Sequence, residues 1–300
     1  MQFVFIILNF LIYIFHTFST NYIPILLILQ IQIIPKLKLY KMPTFLFDEI
    51  IFGPVKSRRL GVSLGINLLP LDYKFCNFDC IYCECGRTNK SSGIQGFHDR
   101  ETVKNALEKK LSEMKAAGET PDYITYAGNG EPTIHKDFSG IIDDTVELRN
   151  KIFPDTKIAV LSNATTIGNP KIFDALLKID DRILKLDSAF EETVRLIDNP
   201  PSGYSIKKTV ENMKKFNGNM IVQTMFLAGN YNGKEVDNTT DTEISTWIEL
   251  LKEIKPSQVM IYTIARDTPS PDLEKISLEK LNKIADKVRT ETGLKVQVSG

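Results

Sequence analysis

Three hundred residues, 43% apolar, 25% charged and 9% aromatic, are enough for one or two globular domains with a sizeable core, and they exclude a disordered, collagenous or coiled-coil chain. The 37 lysines and arginines balance 37 aspartates and glutamates, so no strong overall field draws the chain to nucleic acid or an anionic membrane. Three of those lysines, Lys36, Lys38 and Lys41, fall in residues 1–41, which hold no acid, so residues 42–300 carry 34 basic against 37 acidic groups, a net of −3.

Residues 1–41 form a hydrophobic leader of two apolar runs, Phe3 to Phe15 and Ile25 to Ile34, separated by the more polar His16 to Pro24. Neither run reaches the ~20 residues of a spanning helix, and neither a basic signal-peptide start nor a small-residue cleavage site is evident. Two readings stand. The leader is upstream sequence translated ahead of a true start at Met42, the reading favoured here. Otherwise it is a membrane anchor, kinked at Pro24, with Lys36 to Lys41 on the cytoplasmic side; only in that case is a membrane a partner.

From Met42 onward, short β-branched runs alternate with amphipathic segments, the pattern of repeated βα units. In chain order, strands are expected at Val62 to Leu69, Tyr123 to Ala127, Lys157 to Ser162, Ile183 to Asp187, Ile221 to Leu227 and Val259 to Ile264, all too far apart for hairpins. Helical spacing joins Val103, Ala106, Leu107, Leu111 and Met114; Phe138, Ile141, Ile142 and Val146; Ile172, Phe173, Leu176 and Leu177; Ile206, Val210 and Met213; and Ile244, Trp247, Ile248 and Leu251. Asn169, Ser205 and Thr242 are well placed as helix N-caps. A last helix, Leu278 to Val288, leads through Gly293 into a strand at Leu294 to Val298, giving residues 272–300 a C-terminal helix and strand. The predicted fold class is α/β. Parallel βα units close into a full eight-stranded barrel or stay open, and six of them suggest a partial (β/α)6 barrel, with working groups at the C-terminal strand ends.

The loop after the first of these strands carries Cys76, Cys80 and Cys83, with Cys85 two residues on. Such clustering leaves no distant loop for disulfides to close. Zinc prefers two separated pairs of ligands, and C-x3-C-x2-C-x-C crowds all four into one turn. Three thiolates satisfy a 4Fe–4S cluster and leave one iron open to a small molecule. The second strand ends in Gly128-Asn129-Gly130-Glu131-Pro132, where glycines permit close backbone approach and a carboxylate suits an ammonium.

With an aromatic residue, Tyr82, before the third cysteine, this combination resembles the radical S-adenosylmethionine (SAM) superfamily. The resemblance implies that residues 42–300 are a radical SAM domain. It implies that Cys76, Cys80 and Cys83 hold a 4Fe–4S cluster, that Tyr82 contacts adenine, and that Gly128, Asn129, Gly130 and Glu131 clamp the amino group of SAM. It also implies that Ser162, Asn163, Lys185, Asp187 and Ser188 meet the ribose hydroxyls and the methionine carboxylate. Reductive cleavage of SAM would give a 5′-deoxyadenosyl radical that abstracts hydrogen from a substrate. Gln223, Thr224, Tyr262, Thr263 and Arg266 are further candidates for the pocket wall.

Phe52 to Gly61 and Ala127 to Thr133 are similar to the wyosine-type tRNA-modifying branch, which implies RNA as a substrate class and tRNA modification as a role. That branch carries a second cluster, for which this chain has only Cys85 to spare. The implied partners are a reductant such as flavodoxin or ferredoxin and an RNA or protein substrate. Two alternatives remain: an activase for a glycyl-radical enzyme, and a non-enzymatic metal module using all four cysteines. Lys56, Arg58 and Arg59 either meet a phosphate or form a solvated charge group. Cys85 is expected to be structural and His135 a loop hydrogen-bonder. An oxygen-sensitive cluster implies the cytoplasm, in an anaerobe.

Overall fold

The computed structural model describes residues 45–88 and 96–300. The hydrophobic leader, 1–41, lies outside the described residues.

The main sheet has eight strands in the order β1 (Ile51–Ser57), β2 (Gly61–Ile66), β3 (Tyr123–Tyr126), β4 (Lys157–Ser162), β5 (Asp181–Lys185), β6 (Ile221–Met225), β9 (Gln258–Tyr262) and β11 (Val296–Ser299). All neighbours pair in parallel except β1, which is antiparallel to β2. The six expected parallel strands form the curled half-barrel, and the expected C-terminal strand extends it beside β9. Short apolar runs such as Ile158-Ala-Val160 and Ile183-Leu184 are buried on both faces, as parallel strands covered by helices must be.

The helices α1 (Arg100–Ala116), α2 (Phe138–Ile152), α3 (Pro170–Leu177), α5 (Ile206–Lys214) and α6 (Asp241–Ile254) cover the sheet with the apolar faces read from the sequence, except that Leu177, the last residue of α3, is exposed. Asn169 and Ser205 accept from the backbone N–H groups of Lys171 and Lys208, as cap residues do. At α6 the cap is Thr240, accepting from Glu243, while Thr242 lies one residue inside the helix. A short helix, α4 (Glu191–Asp198), has no counterpart in the periodicity reading; it precedes α5 in the same crossover.

Two hairpins also depart from expectation. β1 forms one with β2. The second joins β7 (Leu227–Tyr231) to β8 (Lys234–Asp237) through Asn232 and Gly233, both at positive φ, a dipeptide that suits a tight hairpin turn. β10 (Leu273–Lys275) pairs with β7 in this second, three-stranded sheet, so residues 272–300 hold a strand besides α7 (Leu278–Thr292) and β11.

The core beneath α6 is anchored by Trp247, the only tryptophan in the chain. It is buried, packs edge-on to Phe226 at 5.4 Å and donates Nε1 to Leu186 O at 3.1 Å. Trp247→Ala is expected to lower unfolding stability by about 3–5 kcal/mol, measured by urea unfolding followed by circular dichroism. Among the described residues no helix is long and apolar enough to cross a membrane.

Candidate functional site

The parallel strands end on one rim, and the polar segments of the sequence lie in the loops beyond it. After β2 the chain runs to an isolated bridge between Phe75 and Gly130. There Phe75 N donates to Asn129 O (2.8 Å) and Glu131 N donates to Phe75 O (3.2 Å), so the cysteine loop is laddered onto the glycine-rich segment after β3. The loop then docks on the end of α4, with Asp79 N on Asp198 O (3.0 Å) and Ile81 N on Ile197 O (2.8 Å).

All four cysteines are free thiols. Between them lies the buried ammonium of Lys74, which donates to Gly86 O at 3.1 Å and Asp79 at 3.4 Å. Burial opposes its charge, but the sulfurs of Cys83, Cys76 and Cys80, together with Asp79, outweigh burial and raise its pKa. Burial pushes the Cys76 thiol up to about 12 against the pull of Lys74. The Cys76 sulfur also accepts from Phe78 N (3.4 Å) and Asn163 Nδ2 (3.7 Å). Cys80 is likewise raised by burial, with Lys185 opposing. Cys83 is held low by its hydrogen bond with Cys85 and by Lys74, despite burial. Cys85 also donates its thiol to Gly128 O at 3.4 Å.

Among the described residues no three His, Cys, Asp or Glu side chains converge in the way the ligands of a single ion do. A cubane takes each thiolate at a different iron. Three cysteines on one loop, one buried and two partly so, beside an ammonium and with N–H groups directed at one sulfur, are a donor set that fits a 4Fe–4S cluster.

Glu131 is buried, and Oε1 accepts from Thr133 N (3.1 Å), Thr133 Oγ1 (2.5 Å) and Ser162 Oγ (2.9 Å). Among the described residues Oε2 accepts only from Asn163 N (2.6 Å) and retains capacity for a further donor. Burial raises the carboxyl pKa, and these donors oppose the rise. Asn163 links the two halves of the site, since its Nδ2 also reaches Asn77 Oδ1 at 2.6 Å.

Other candidates have their side chains engaged by the protein. Asn129 exchanges hydrogen bonds with the backbone of Phe47 and donates to Pro70 O, while its own backbone N–H donates to Asn67 Oδ1 and its carbonyl accepts from Phe75 N. Ser188 donates to Glu243 Oε2 and accepts from Phe190 N. Thr224 donates to Leu186 O, and Thr263 accepts from Ile276 N. His135 accepts from Asp137 N through Nδ1, so Nε2 carries the proton toward His98 O, the loop role expected of it.

Lys185, Asp187 and Tyr82 meet in one buried network with Asp198. The Lys185 ammonium bonds the Tyr82 hydroxyl, Asp187 Oδ2 at 2.9 Å and Asp198 Oδ1 at 3.5 Å, and the Tyr82 hydroxyl bonds Asp187. Asp187 Oδ1 accepts from Met225 N. The two carboxylates hold Lys185 protonated against burial, whereas burial pushes the Asp198 carboxyl up. Sequence reading missed Lys74 and Asp198. Lys74 lies two residues before Cys76 and was within reach of a closer look; Asp198 joins the site only through the fold.

Tyr82 and Cys83 also line a cavity of about 750 Å³, together with Ala127, Leu161, Met225 and Tyr262. That volume suits a substantial small-molecule site. Within it Arg59 stacks over Tyr262 at 4.6 Å and donates to Gln223 Oε1 at 3.0 Å.

Residues 71–243 match the family model described as the Radical SAM superfamily. A UPF0026 protein of Methanocaldococcus jannaschii is 32% identical over 240 residues, covering 78% of this chain and 70% of that one. Of solved structures, one of TYW1 with a lysine–pyruvate adduct bound is 14% identical, with a TM-score of 0.54 over 78% of this chain and 74% of that one. Streptococcus suis SuiB bound to SAM is 16% identical, with a TM-score of 0.56 over 79% of this chain; the chain spans 50% of SuiB. The two structures agree with the half-barrel fold. The protein is thus an enzyme of a class that works with a 4Fe–4S cluster, SAM and a reductant, and the chain belongs to the radical SAM superfamily and, within it, to the UPF0026 proteins.

Proposed function

We propose that Cys76, Cys80 and Cys83 hold the 4Fe–4S cluster and that the chain reductively cleaves SAM to abstract hydrogen from a substrate seated in the cavity beside Tyr82 and Cys83. The bridge between Phe75 and Gly130 is the observation that carries this reading, because it fixes the cysteine loop and the segment bearing Glu131 to each other. When bound, the cluster and SAM supply a 5′-deoxyadenosyl radical.

The chain's own groups do the holding. Glu131 Oε2 offers its spare acceptor site to an ammonium, with Ser162 and Asn163 fixing the carboxylate. The backbones of Gly128, Asn129 and Gly130 form the wall beside it. Tyr82 presents its ring to the cavity while its hydroxyl is pinned by Lys185 and Asp187, and Ser188 supports that strand end. Lys185 is engaged by two carboxylates, so its role in this reading is to orient Tyr82 rather than to meet the methionine carboxylate. The low-potential electron comes from flavodoxin or ferredoxin, and buried thiolates of this kind call for a reducing compartment, the cytoplasm.

The test is anaerobic reconstitution of the full chain, reduction with dithionite in the presence of SAM, and measurement of 5′-deoxyadenosine. Product that is lost in Cys80→Ala and kept in Cys85→Ala is expected. If wild-type protein with a reduced cluster forms no product, or if Cys85→Ala alone strips the iron, the reading is wrong.

A further inference from the structure

Resting on that reading, the cavity mouth identifies the substrate more closely. Five cations from separate parts of the chain line this one cavity: Lys56, Arg58 and Arg59 around the β1–β2 turn, Arg266 after β9, and Lys275 in β10. Among the described residues lining it, the only acidic side chain is that of Glu84, which pairs with Arg266 at 2.6 Å. A chain with no net charge, and with an acidic excess over residues 42–300, thus places five cationic side chains against one acidic side chain, among the described residues, at one opening.

These charges are not neutralised from within. Among the described residues Lys56, Arg58, Arg59 and Lys275 form no ion pair. Arg59 is the telling case, because it is half-buried. Its guanidinium lies over the Tyr262 ring and donates to Gln223, leaving further N–H groups without a carboxylate. A guanidinium withdrawn from water in this way is ordinarily paired, and its planar fork matches a phosphate.

The same wall is aromatic. Phe47 stacks on Phe52 at 3.7 Å, Phe45 meets Phe47 edge-on at 5.0 Å, and Arg266 lies over Phe45 at 5.0 Å. Phe52 occupies space that a side chain at Gly65 would need, so β2 is cut back to admit the ring. Flat apolar faces interleaved with guanidinium groups suit a planar heterocycle attached to an anion. The methionine carboxylate of SAM accounts for one unit of charge, and the Gly130–Glu131 segment assigned to SAM does not line this mouth.

We infer that the substrate carries a phosphate beside an aromatic base, that is, a nucleotide unit, either free or within an RNA strand. Cations at the rim would take the phosphate and the aromatic wall the ring, leaving the sugar or base edge toward Tyr82 and Cys83.

The test measures binding to the reconstituted full chain under anaerobic conditions with two probes: ribonucleoside 5′-monophosphates by calorimetry and a short fluorescent oligoribonucleotide by anisotropy. Binding of either probe is expected to weaken about threefold or more in each of Lys56→Ala, Arg58→Ala and Lys275→Ala, and to be retained in Lys283→Ala on α7. For the strand, each of the three substitutions should lower the salt slope by about 0.7. Equal affinity for both probes identifies a free nucleotide; affinity for the strand alone identifies RNA. Wild-type protein that binds neither probe at low salt, or a Lys56→Ala/Arg58→Ala/Lys275→Ala triple variant that binds as wild type does, overturns the inference. Formation of 5′-deoxyadenosine by wild type is scored separately, so a failed inference is distinguishable from a failed SAM reading.

Discussion

Gly130→Ala is expected to remove cluster retention and SAM binding together. Gly130 has φ +144°, a region that L-residues adopt only under strain of about 1–3 kcal/mol. A Cβ there would overlap the carbonyl oxygen of Phe75, which is backbone and cannot swing aside. That oxygen accepts from Glu131 N, and the next residue is Cys76, so any retreat displaces the proposed cluster ligand Cys76 and the proposed SAM clamp Glu131 in the same movement. The expected result is a severalfold fall in iron bound after reconstitution and at least a tenfold weaker affinity for SAM, the latter equivalent to about 1.4 kcal/mol. Gly118→Ala is the control, since Gly118 also has positive φ but its Cβ would meet nothing within 4 Å. It should lower the melting temperature slightly and leave iron and SAM binding intact. Wild-type iron and SAM binding in Gly130→Ala would sink the idea that this bridge couples the two cofactors.

This coupling marks the limit of what the sequence conveys. The spacing of Cys76, Cys80 and Cys83 is a local property, as is the apolar continuity of runs such as Ile158 to Val160, and both are legible without coordinates. β1 was not, because Gly53-Pro54 interrupts its run and only Ile51 and Phe52 of its seven residues are buried. β7, Leu-Ala-Gly-Asn-Tyr, is mostly partly exposed and does not alternate apolar with polar residues, although Asn232-Gly233 was a hairpin signal in plain view. α4 has only Val194, Leu196 and Ile197 as apolar residues, and a single pair at helical spacing is too little for periodicity to speak. In the site, Glu131 was identifiable from its motif, but the saturation of its Oε1 by Thr133 and Ser162 was not. Nor was the commitment of the Asn129 side chain to Phe47 and Pro70, since those partners lie 82 and 59 positions away. Residue type and spacing reveal which chemistry is present; which side chains remain free to exercise it is decided by contacts distant in the chain.

Lys185→Met is expected to be among the most destabilising single substitutions away from the cysteines, lowering unfolding stability by about 3–5 kcal/mol. The wild-type ammonium is buried between Asp187 and Asp198 and also bonds Tyr82, so its loss leaves two carboxylates without a cation in a water-poor site. By contrast Lys283→Met breaks an exposed pair with Glu279 and should change stability by less than about 1 kcal/mol. The pH dependence follows from the direction of the shifts. Burial already raises the Asp198 carboxyl against the pull of Lys185, and without that ammonium it moves further above its unfolded value. Groups raised in this way contribute stability that is fully present below the unfolded pKa, near 4, and is lost as pH rises through the folded value. The defect in Lys185→Met should therefore be smallest in acid and largest at neutral pH. Lys185→Met/Asp198→Asn, which removes one of the stranded charges, should recover part of the loss at pH 7 and little at pH 4. Urea unfolding of the cluster-free proteins across that range measures both. A deficit independent of pH and untouched by Asp198→Asn would assign Lys185 a packing role, with no part in neutralising the two carboxylates that hold Tyr82 at the cavity.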